Sequence, residues 1–247
     1  MGPIDEYLRR IDYDGPRDPT AATLCALHVA HMYTVPFENL DIHLGRPIVL
    51  EEAALFDKIV RRRRGGFCYE LNGLFSALLW TLGFRVTRLS AGVLDDGTFG
   101  PVFDHMTLVV ELEDRWLADV GFGDSFREPL RLDEPGDQLR DGRVFRISHD
   151  GRQGTMLSHR DTGSEPTGYR FDFTGHTLAD YEAMCRFHQT SPESPFPRKR
   201  VCTRATPAGR ITLSDHQLIV TEHGRRRERD LNEDEWRGAL AEHFGIA

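Results

Sequence analysis

The sequence predicts an α+β fold, with helices first and β-structure after them. Three observations carry this. From Leu71 the apolar residues Leu71, Leu74, Phe75, Leu78, Leu79 and Leu82 recur at helical spacing, and Gly83 ends the run. From residue 84 to about 175 the pattern changes to short apolar runs separated by Asp96-Gly97, Asp141-Gly142 and Asp150-Gly151, dipeptides suited to hairpin turns. Beyond that, helical and strand patterns mix, and Ser191-Pro192-Glu193-Ser194-Pro195-Phe196-Pro197 is the best linker candidate.

The elements follow in order. Helices are expected near Ile4–Arg10, Pro19–Tyr33 and Glu51–Arg63, and then over the amphipathic run that begins at Cys68. Pro19 fits a first helical turn, and Pro36 stops any helix before it. Strands are expected over Arg85–Val93, Met106–Leu112, Arg115–Gly121, Val144–Ser148, Gly154–Ser158 and Tyr169–Phe173. A helix around Leu178–His188 and three strands between Lys199 and Glu222 come next. The last helix runs from about Glu233 to Phe244, with Asn232 and Glu235 spaced as a capping box.

Composition narrows the class of protein. At 247 residues the chain can bury a sizeable core, as one large domain or two to three small ones. Its 39% hydrophobic and 28% charged residues are ordinary for a globular protein. A net charge of −8 argues against nucleic acid as the main partner. No apolar run reaches transmembrane length, so no membrane association is expected, and MGPIDEYLRR is not a secretory signal. The widely spaced Cys25, Cys68, Cys185 and Cys202 therefore read as free thiols of a reducing, cytoplasmic environment.

The chemistry concentrates in Arg61 to Gly73, RRRRGGFCYELNG. Gly65 and Gly66 permit a tight turn and close approach, and Cys68 falls in or just before the first turn of the following helix. Free N–H groups and the helix dipole favour a thiolate there. Two readings of Cys68 stand at this level: an activated nucleophile, and a small buried hydrophobe. A nucleophilic cysteine needs a base and a group that orients the base. His105 opens one strand-like run, and Asp119 lies inside the next, Trp116-Leu117-Ala118-Asp119-Val120-Gly121-Phe122. The short Glu113-Asp114-Arg115 connection pairs these runs antiparallel and can bring Asp119 to His105. The alternatives are a turn-capping aspartate and one histidine among 11 with no special role. Cys185-Arg186-Phe187-His188 is a weak metal pattern and reads as one helical face, so no metal is expected.

Four segments make the chain resemble the arylamine N-acetyltransferases: Val35-Pro36-Phe37-Glu38-Asn39-Leu40, Arg64-Gly65-Gly66-Phe67-Cys68-Tyr69-Glu70-Leu71-Asn72-Gly73, the His105 strand, and Asp119-Val120-Gly121-Phe122-Gly123. The match is clear over the first half of the chain and general over the second. The resemblance implies an N-terminal helical bundle over residues 1–83 carrying the nucleophile. It also implies a central β-barrel over 84–190 carrying the histidine and aspartate, and an α/β lid over 191–247. It assigns Cys68, His105 and Asp119 as a triad like that of cysteine proteases. It makes acetyl-CoA the acyl donor and an arylamine, arylhydrazine or arylhydroxylamine the acceptor, in a ping-pong cycle through an acetyl-Cys68 thioester.

The same resemblance suggests Phe37, Phe67 and Phe122 as walls of an apolar acceptor slot, with core packing as the alternative for each. Gly121 and Gly123 would let the pantetheine arm of the donor pass close to backbone. Glu38 and Glu70 are expected to pair with arginines near Arg64. Arg61–Arg64 and Arg198-Lys199-Arg200 are basic runs that could attract phosphates or form solvated faces. Asp124, after Gly123, could disfavour an anionic donor or cap a turn. Two other functions remain open at this level: an amide synthase of natural-product assembly on the same fold, and a Cys-His-Asp hydrolase.

Overall fold

In the computed structural model, which describes residues 2–159 and 165–246, helices dominate the first third of the chain. α1 spans Pro3–Arg10 and α2 spans Ala21–Thr34. The Thr20 hydroxyl caps α2 by accepting from the Thr23 amide at 3.2 Å, so Pro19 stands before the cap and not in the first turn. β1 (Phe37–Glu38), α3 (Leu40–His43) and α4 (Glu52–Phe56) follow, and α4 continues as a π-helical turn over Asp57–Arg61. α5 runs from Cys68 to Thr81, and 11 of its 14 residues are buried. It is therefore a central helix enclosed on nearly every side, more than an amphipathic one lying on a surface.

The middle of the chain is an antiparallel sheet of nine strands. In chain order these are β2 (Arg85–Asp95), β3 (Thr98–Phe99), β4 (His105–Glu111), β5 (Arg115–Ala118), β6 (Leu130–Arg131), β7 (Asp137–Arg140), β8 (Arg143–His149), β9 (Gln153–His159) and β10 (Thr167–Gly175). Their order is β6-β5-β4-β2-β10-β9-β8-β7, with β3 as a short partner of β2. The sheet curls so that its edge strands β6 and β7 meet. The carboxamide of Gln138 on β7 joins them, accepting from the Arg131 amide at 3.0 Å and donating to the Arg131 carbonyl at 2.8 Å. One side chain thus reproduces a main-chain pairing and nearly closes a barrel.

β4 positions the site. Its residues are buried from His105 through Val110 because both faces are covered. Met106, Leu108 and Val110 pack with α5 in the helical core, while Val109 joins Leu89, Leu117, Phe145 and Phe171 inside the barrel. His105 and Thr107 share the parity of Val109, so His105 opens the strand on the barrel side.

The C-terminal part begins with a 3-10 turn at Leu178–Tyr181 and α6 (Glu182–Thr190). Leu178, Tyr181 and Cys185 pack into the helical core. β11 (Val201–Thr206), β12 (Gly209–Ser214), β13 (Gln217–Glu222) and β14 (Arg225–Asp230) form a sheet of order β1-β11-β12-β13-β14. The N-terminal region thus donates an edge strand to the C-terminal sheet, through Phe37 opposite Thr203 and Glu38 opposite Cys202. The sequence pattern offered three strands here; the fourth, β14, is the exposed run RRRERD, which has no apolar alternation to mark it. α7 (Glu233–Phe244) closes the fold, with Trp236, Leu240 and Phe244 on Cys202 and Leu213. Its cap is the one the sequence indicates: Asn232 accepts from the Glu235 amide at 3.0 Å, and Glu235 accepts from the Asn232 amide at 2.9 Å.

Candidate active site

Cys68 is the first residue of α5 and is buried, at 3% exposure. Its approach is set by close backbone packing. A Cβ on Gly65 would stand 2.0 Å from the Pro36 carbonyl oxygen, so only glycine admits the contact that lays this turn beside β1. The Glu38 amide donates to the Gly66 carbonyl at 2.9 Å. Glu70 accepts from the Phe67 amide at 3.1 Å, which closes the start of the helix. Glu70 also binds Lys58 at 2.7 Å, Lys58 binds Asp41 at 2.8 Å, and Arg64 joins Asp41 at 3.1 Å to Glu38 at 2.8 Å. Glu38 therefore takes its expected arginine, while Glu70 pairs with Lys58 instead, because the π-helical turn carries that side chain inward. The rest of the basic run is exposed, with Arg61 near Glu6 and Arg62 on Asp57.

His105 Nε2 lies 2.7 Å from Asp119 Oδ2. The antiparallel register of β4 and β5 sets Leu108 opposite Ala118, and Asp119 comes just after the strand. The strand ends earlier than the apolar pattern suggests because side chains take the next amides. The Asp119 amide donates to His28 Nε2 at 3.1 Å, the Val120 amide to Asn72 Oδ1 at 2.9 Å, and the Gly121 amide to Asp119 Oδ1 at 2.9 Å. Asn72 Nδ2 donates to Asp119 Oδ1 at 2.8 Å and to the Met106 carbonyl at 2.6 Å. Gly121 in turn lies directly against the Cys68 backbone. Cys68, His105 and Asp119 are thus gathered at the junction of α5, β4 and the end of β5.

Burial pushes the Cys68 thiol well above its usual range, and the carboxylates of Asp119 and Asp104 add to this; the Met106 amide opposes them. Burial therefore works against the thiolate expected from the helix start alone. Burial would also raise Asp119, but His105, Asn72 and the Gly121 amide outweigh it and hold the carboxyl below the usual range. The charge balance shows how a thiolate can form here. Loss of the Cys68 proton to water would leave two buried anions, whereas transfer to His105 keeps the site's total charge unchanged. With Nε2 committed to Asp119, Nδ1 is the ring nitrogen left for that proton.

The aromatic candidates fall into two groups. Phe122 packs on His105 at 5.2 Å and on Tyr169 at 5.2 Å between ring centroids. Phe37 and Phe67 both face Phe196, at 6.4 and 5.5 Å. Phe67 is fully buried, whereas Phe37 and Phe122 are partly exposed. Gly123, at φ +84°, lies against the Phe37 ring and so brings the two groups together. The bare face of Gly121 is already filled: a Cβ there would stand 2.8 Å from Cys68 Cα. Asp124 binds Arg143 at 3.2 Å and Arg210 at 3.1 Å. It edges a cavity of about 850 Å³ between barrel and C-terminal sheet, lined also by Arg127, Arg226 and His223.

Sequence reasoning missed four contributors. Asn72 could have been found, since it lies four residues after Cys68 and thus on the same helical face. Tyr169, whose hydroxyl binds Thr107 Oγ1 at 3.0 Å and faces Asp119, looks like any strand tyrosine. Phe196 sat in the presumed linker; Asn39 anchors that segment by donating to the carbonyls of Phe196 at 3.0 Å and Lys199 at 2.8 Å. His28 lies in an ordinary helical pattern, and nothing local marks it.

A family model described as N-acetyltransferase matches residues 20–247. The arylamine N-acetyltransferase, pineal gland isozyme NAT-3, of Gallus gallus is 32% identical over 271 residues, covering 98% of this chain and 93% of its own. The solved arylamine N-acetyltransferase from Salmonella typhimurium matches with a TM-score of 0.91 at 30% identity, covering 99% of this chain and 91% of its own. The Mycobacterium marinum arylamine N-acetyltransferase solved in complex with CoA matches with a TM-score of 0.89 at 31% identity, covering 98% and 92%.

Proposed function

The chain belongs to the arylamine N-acetyltransferase family, and we propose that it works through Cys68 as nucleophile, His105 as base and Asp119 as the orienting carboxylate. The protein is an acyltransferase that moves the acetyl group of acetyl-CoA to an arylamine. The observation that supports the triad is the 2.7 Å bond from His105 Nε2 to Asp119, whose carboxylate is tied to the Cys68 helix through Asn72.

The cycle has two halves. The Cys68 proton passes to His105, and the sulfur attacks the thioester carbonyl. The bond from carbonyl carbon to the CoA sulfur breaks, and the CoA thiolate leaves with the proton from His105. The nitrogen of an arylamine, or of an arylhydrazine, then attacks acetyl-Cys68; an arylhydroxylamine can attack through oxygen. His105 takes the proton of the attacking group and returns it to the sulfur as the thioester breaks. Asp119 stabilises the imidazolium in both halves. An amide is far more stable than a thioester, so the second half runs downhill.

Phe122 and the Phe37–Phe196 pair form the apolar slot that holds the acceptor ring, with fully buried Phe67 as its floor. Gly121 seats the loop on Cys68, and Gly123 leaves room for the pantetheine arm. The arginine-lined cavity beside Asp124 suits the donor's phosphates; Asp124 does not repel them, because Arg143 and Arg210 neutralise it. The four free cysteines are consistent with a reducing compartment and support a cytoplasmic setting for the reaction.

Incubation with acetyl-CoA in the absence of amine should release one equivalent of CoA and leave an acetyl group on Cys68, read by peptide mass spectrometry. An aromatic amine should then discharge it. Cys68→Ala should do neither. Acetyl on another cysteine, or steady loss of acetyl to water at the rate seen with amine, would sink this reading.

A further inference from the structure

We infer that His28 is a positioning residue of the transfer reaction, clamping both ends of the segment 119–127 and so setting the carboxylate of Asp119 and the ring of Phe122. The inference rests on the triad reading above. His28 is fully buried on α2. Its Nε2 accepts from the Asp119 amide at 3.1 Å, and its Nδ1 lies 2.6 Å from the Arg127 carbonyl oxygen. One ring therefore ties Asp119, the first residue after β5, to Arg127, three residues before β6 begins. Between those two points, Asp119 reaches His105, Gly121 seats on the Cys68 backbone, and Phe122 packs on His105.

The chemistry of the two partners fixes the state of the ring. A main-chain amide can only donate and a carbonyl can only accept. Nδ1 must therefore carry the hydrogen and Nε2 must be bare, which only the neutral Nδ1–H tautomer provides. The ring is wedged in place by Phe126, stacked at 5.8 Å and 20°, and by Phe75, edge-on at 5.9 Å. A core histidine serving packing alone would need neither nitrogen placed. Here both are used, and on the segment that carries the reaction. Burial, which favours the neutral ring, acts in the same direction.

Two variants separate the two contacts. His28→Gln can place its amide oxygen where Nε2 was and keep the Asp119 amide, losing Arg127. His28→Asn can place its amide nitrogen where Nδ1 was and keep Arg127, losing Asp119. The readouts are the single-turnover rate of CoA release without amine and the pH profile of Cys68 alkylation by iodoacetamide. The Asn variant should lose on the order of 100-fold in acetylation, the effect of a misplacement of about 1 Å, and its alkylation profile should move to higher pH. The Gln variant should stay closer to the parent in both. A folded Asn variant with the parent rate and profile overturns the inference.

Asp119→Asn, run in parallel, separates the two hypotheses. If it leaves the alkylation profile unchanged, the triad reading itself fails; if it shifts the profile while His28→Asn does not, only the role of His28 fails. Should neither His28 variant fold, the ring nitrogens of the unaltered enzyme decide. Nitrogen-15 NMR should show His28 as the neutral Nδ1–H tautomer throughout the range where free histidine titrates, about pH 5 to 8. An Nε2–H tautomer, or protonation near the free value of about 6.5, overturns the clamp.

Discussion

Asn72 donates from Nδ2 to Asp119 Oδ1 at 2.8 Å, one helical turn after Cys68. The same amide reaches the Met106 carbonyl and the Val120 amide, so one carboxamide ties the nucleophile's helix to β4 and to the segment after β5. Asn72→Ala would leave three buried groups short of a partner, at about 1–3 kcal/mol each for those that stay unsatisfied. It would also free Asp119 to drift from His105. We expect the single-turnover acetylation rate to fall on the order of 100-fold, with a clear loss in denaturant midpoint. A folded variant that acetylates at the parent rate would remove Asn72 from the site's support.

How far the sequence announces this site depends on how local each signal is. Cys68 and the turn before it are legible because glycines, a helix start and a nucleophile fall within a few residues. The β4–β5 hairpin is legible because its turn is short and its strands are apolar. The strand after Ala118 was expected to run on to Gly121, since the letters stay apolar; it stops because His28 and Asn72, distant in sequence, capture its amides. Phe196 was hidden for a similar reason. Its segment has the proline content of a linker, and only tertiary bonds from Asn39 fold it over Phe37 and Phe67. Glu70 found Lys58 instead of an arginine because the π-helical turn could not be read from composition.

The pH dependence of Cys68 follows from the charge balance. Burial raises the thiol, so ionisation to solvent is suppressed, but transfer to His105 adds no net charge. Iodoacetamide should therefore label Cys68 well below the free-thiol value of about 8.5. Cys185 and Cys202, also raised by burial and without a base of this kind, should label more slowly; so should half-buried Cys25. In Asp119→Asn the imidazolium loses its carboxylate, and the Cys68 profile should shift to higher pH. Labelling of the unaltered protein that begins only above the free-thiol range would show that no thiolate–imidazolium pair forms.

Acid stability should carry a histidine signature. Burial lowers His28 to about 4 and His31 well below its usual value, so both stay neutral in the fold. The unfolded chain takes up these protons below about 6.5, so it binds more protons than the native state and stability falls as the pH drops from there. For His28 the window runs from about 6.5 down to about 4 and is worth on the order of 3 kcal/mol. The carboxylates of Asp41, Asp104 and Asp119, held below the usual range, act in the same direction but at lower pH. Urea unfolding at several pH values should show this slope in the parent, reduced by about one proton in His28→Gln. An equal slope in both proteins would mean that His28 is protonated in the fold.

Closure of the barrel offers a test that spares the chemistry. Gln138 is 5% exposed and pairs with both main-chain groups of Arg131, joining strands that otherwise end the sheet on either side. Gln138→Leu keeps the bulk and removes both bonds, leaving an amide and a carbonyl at a sheet edge to find water. The expected loss is about 1–3 kcal/mol, which for a chain of this size lowers the melting temperature by roughly 2–4 °C per kcal/mol. Gln138→Glu keeps the acceptor but sets a carboxylate oxygen against the Arg131 carbonyl in a buried place, so its loss should be at least as large. Gln138 touches none of Cys68, His105 or Asp119, so turnover measured well below the melting temperature should match the parent. If Gln138→Leu melts with the parent protein, the two edges are held by packing of Leu130, Leu132 and Phe145 in the barrel core, and the carboxamide is only an ornament of the seam.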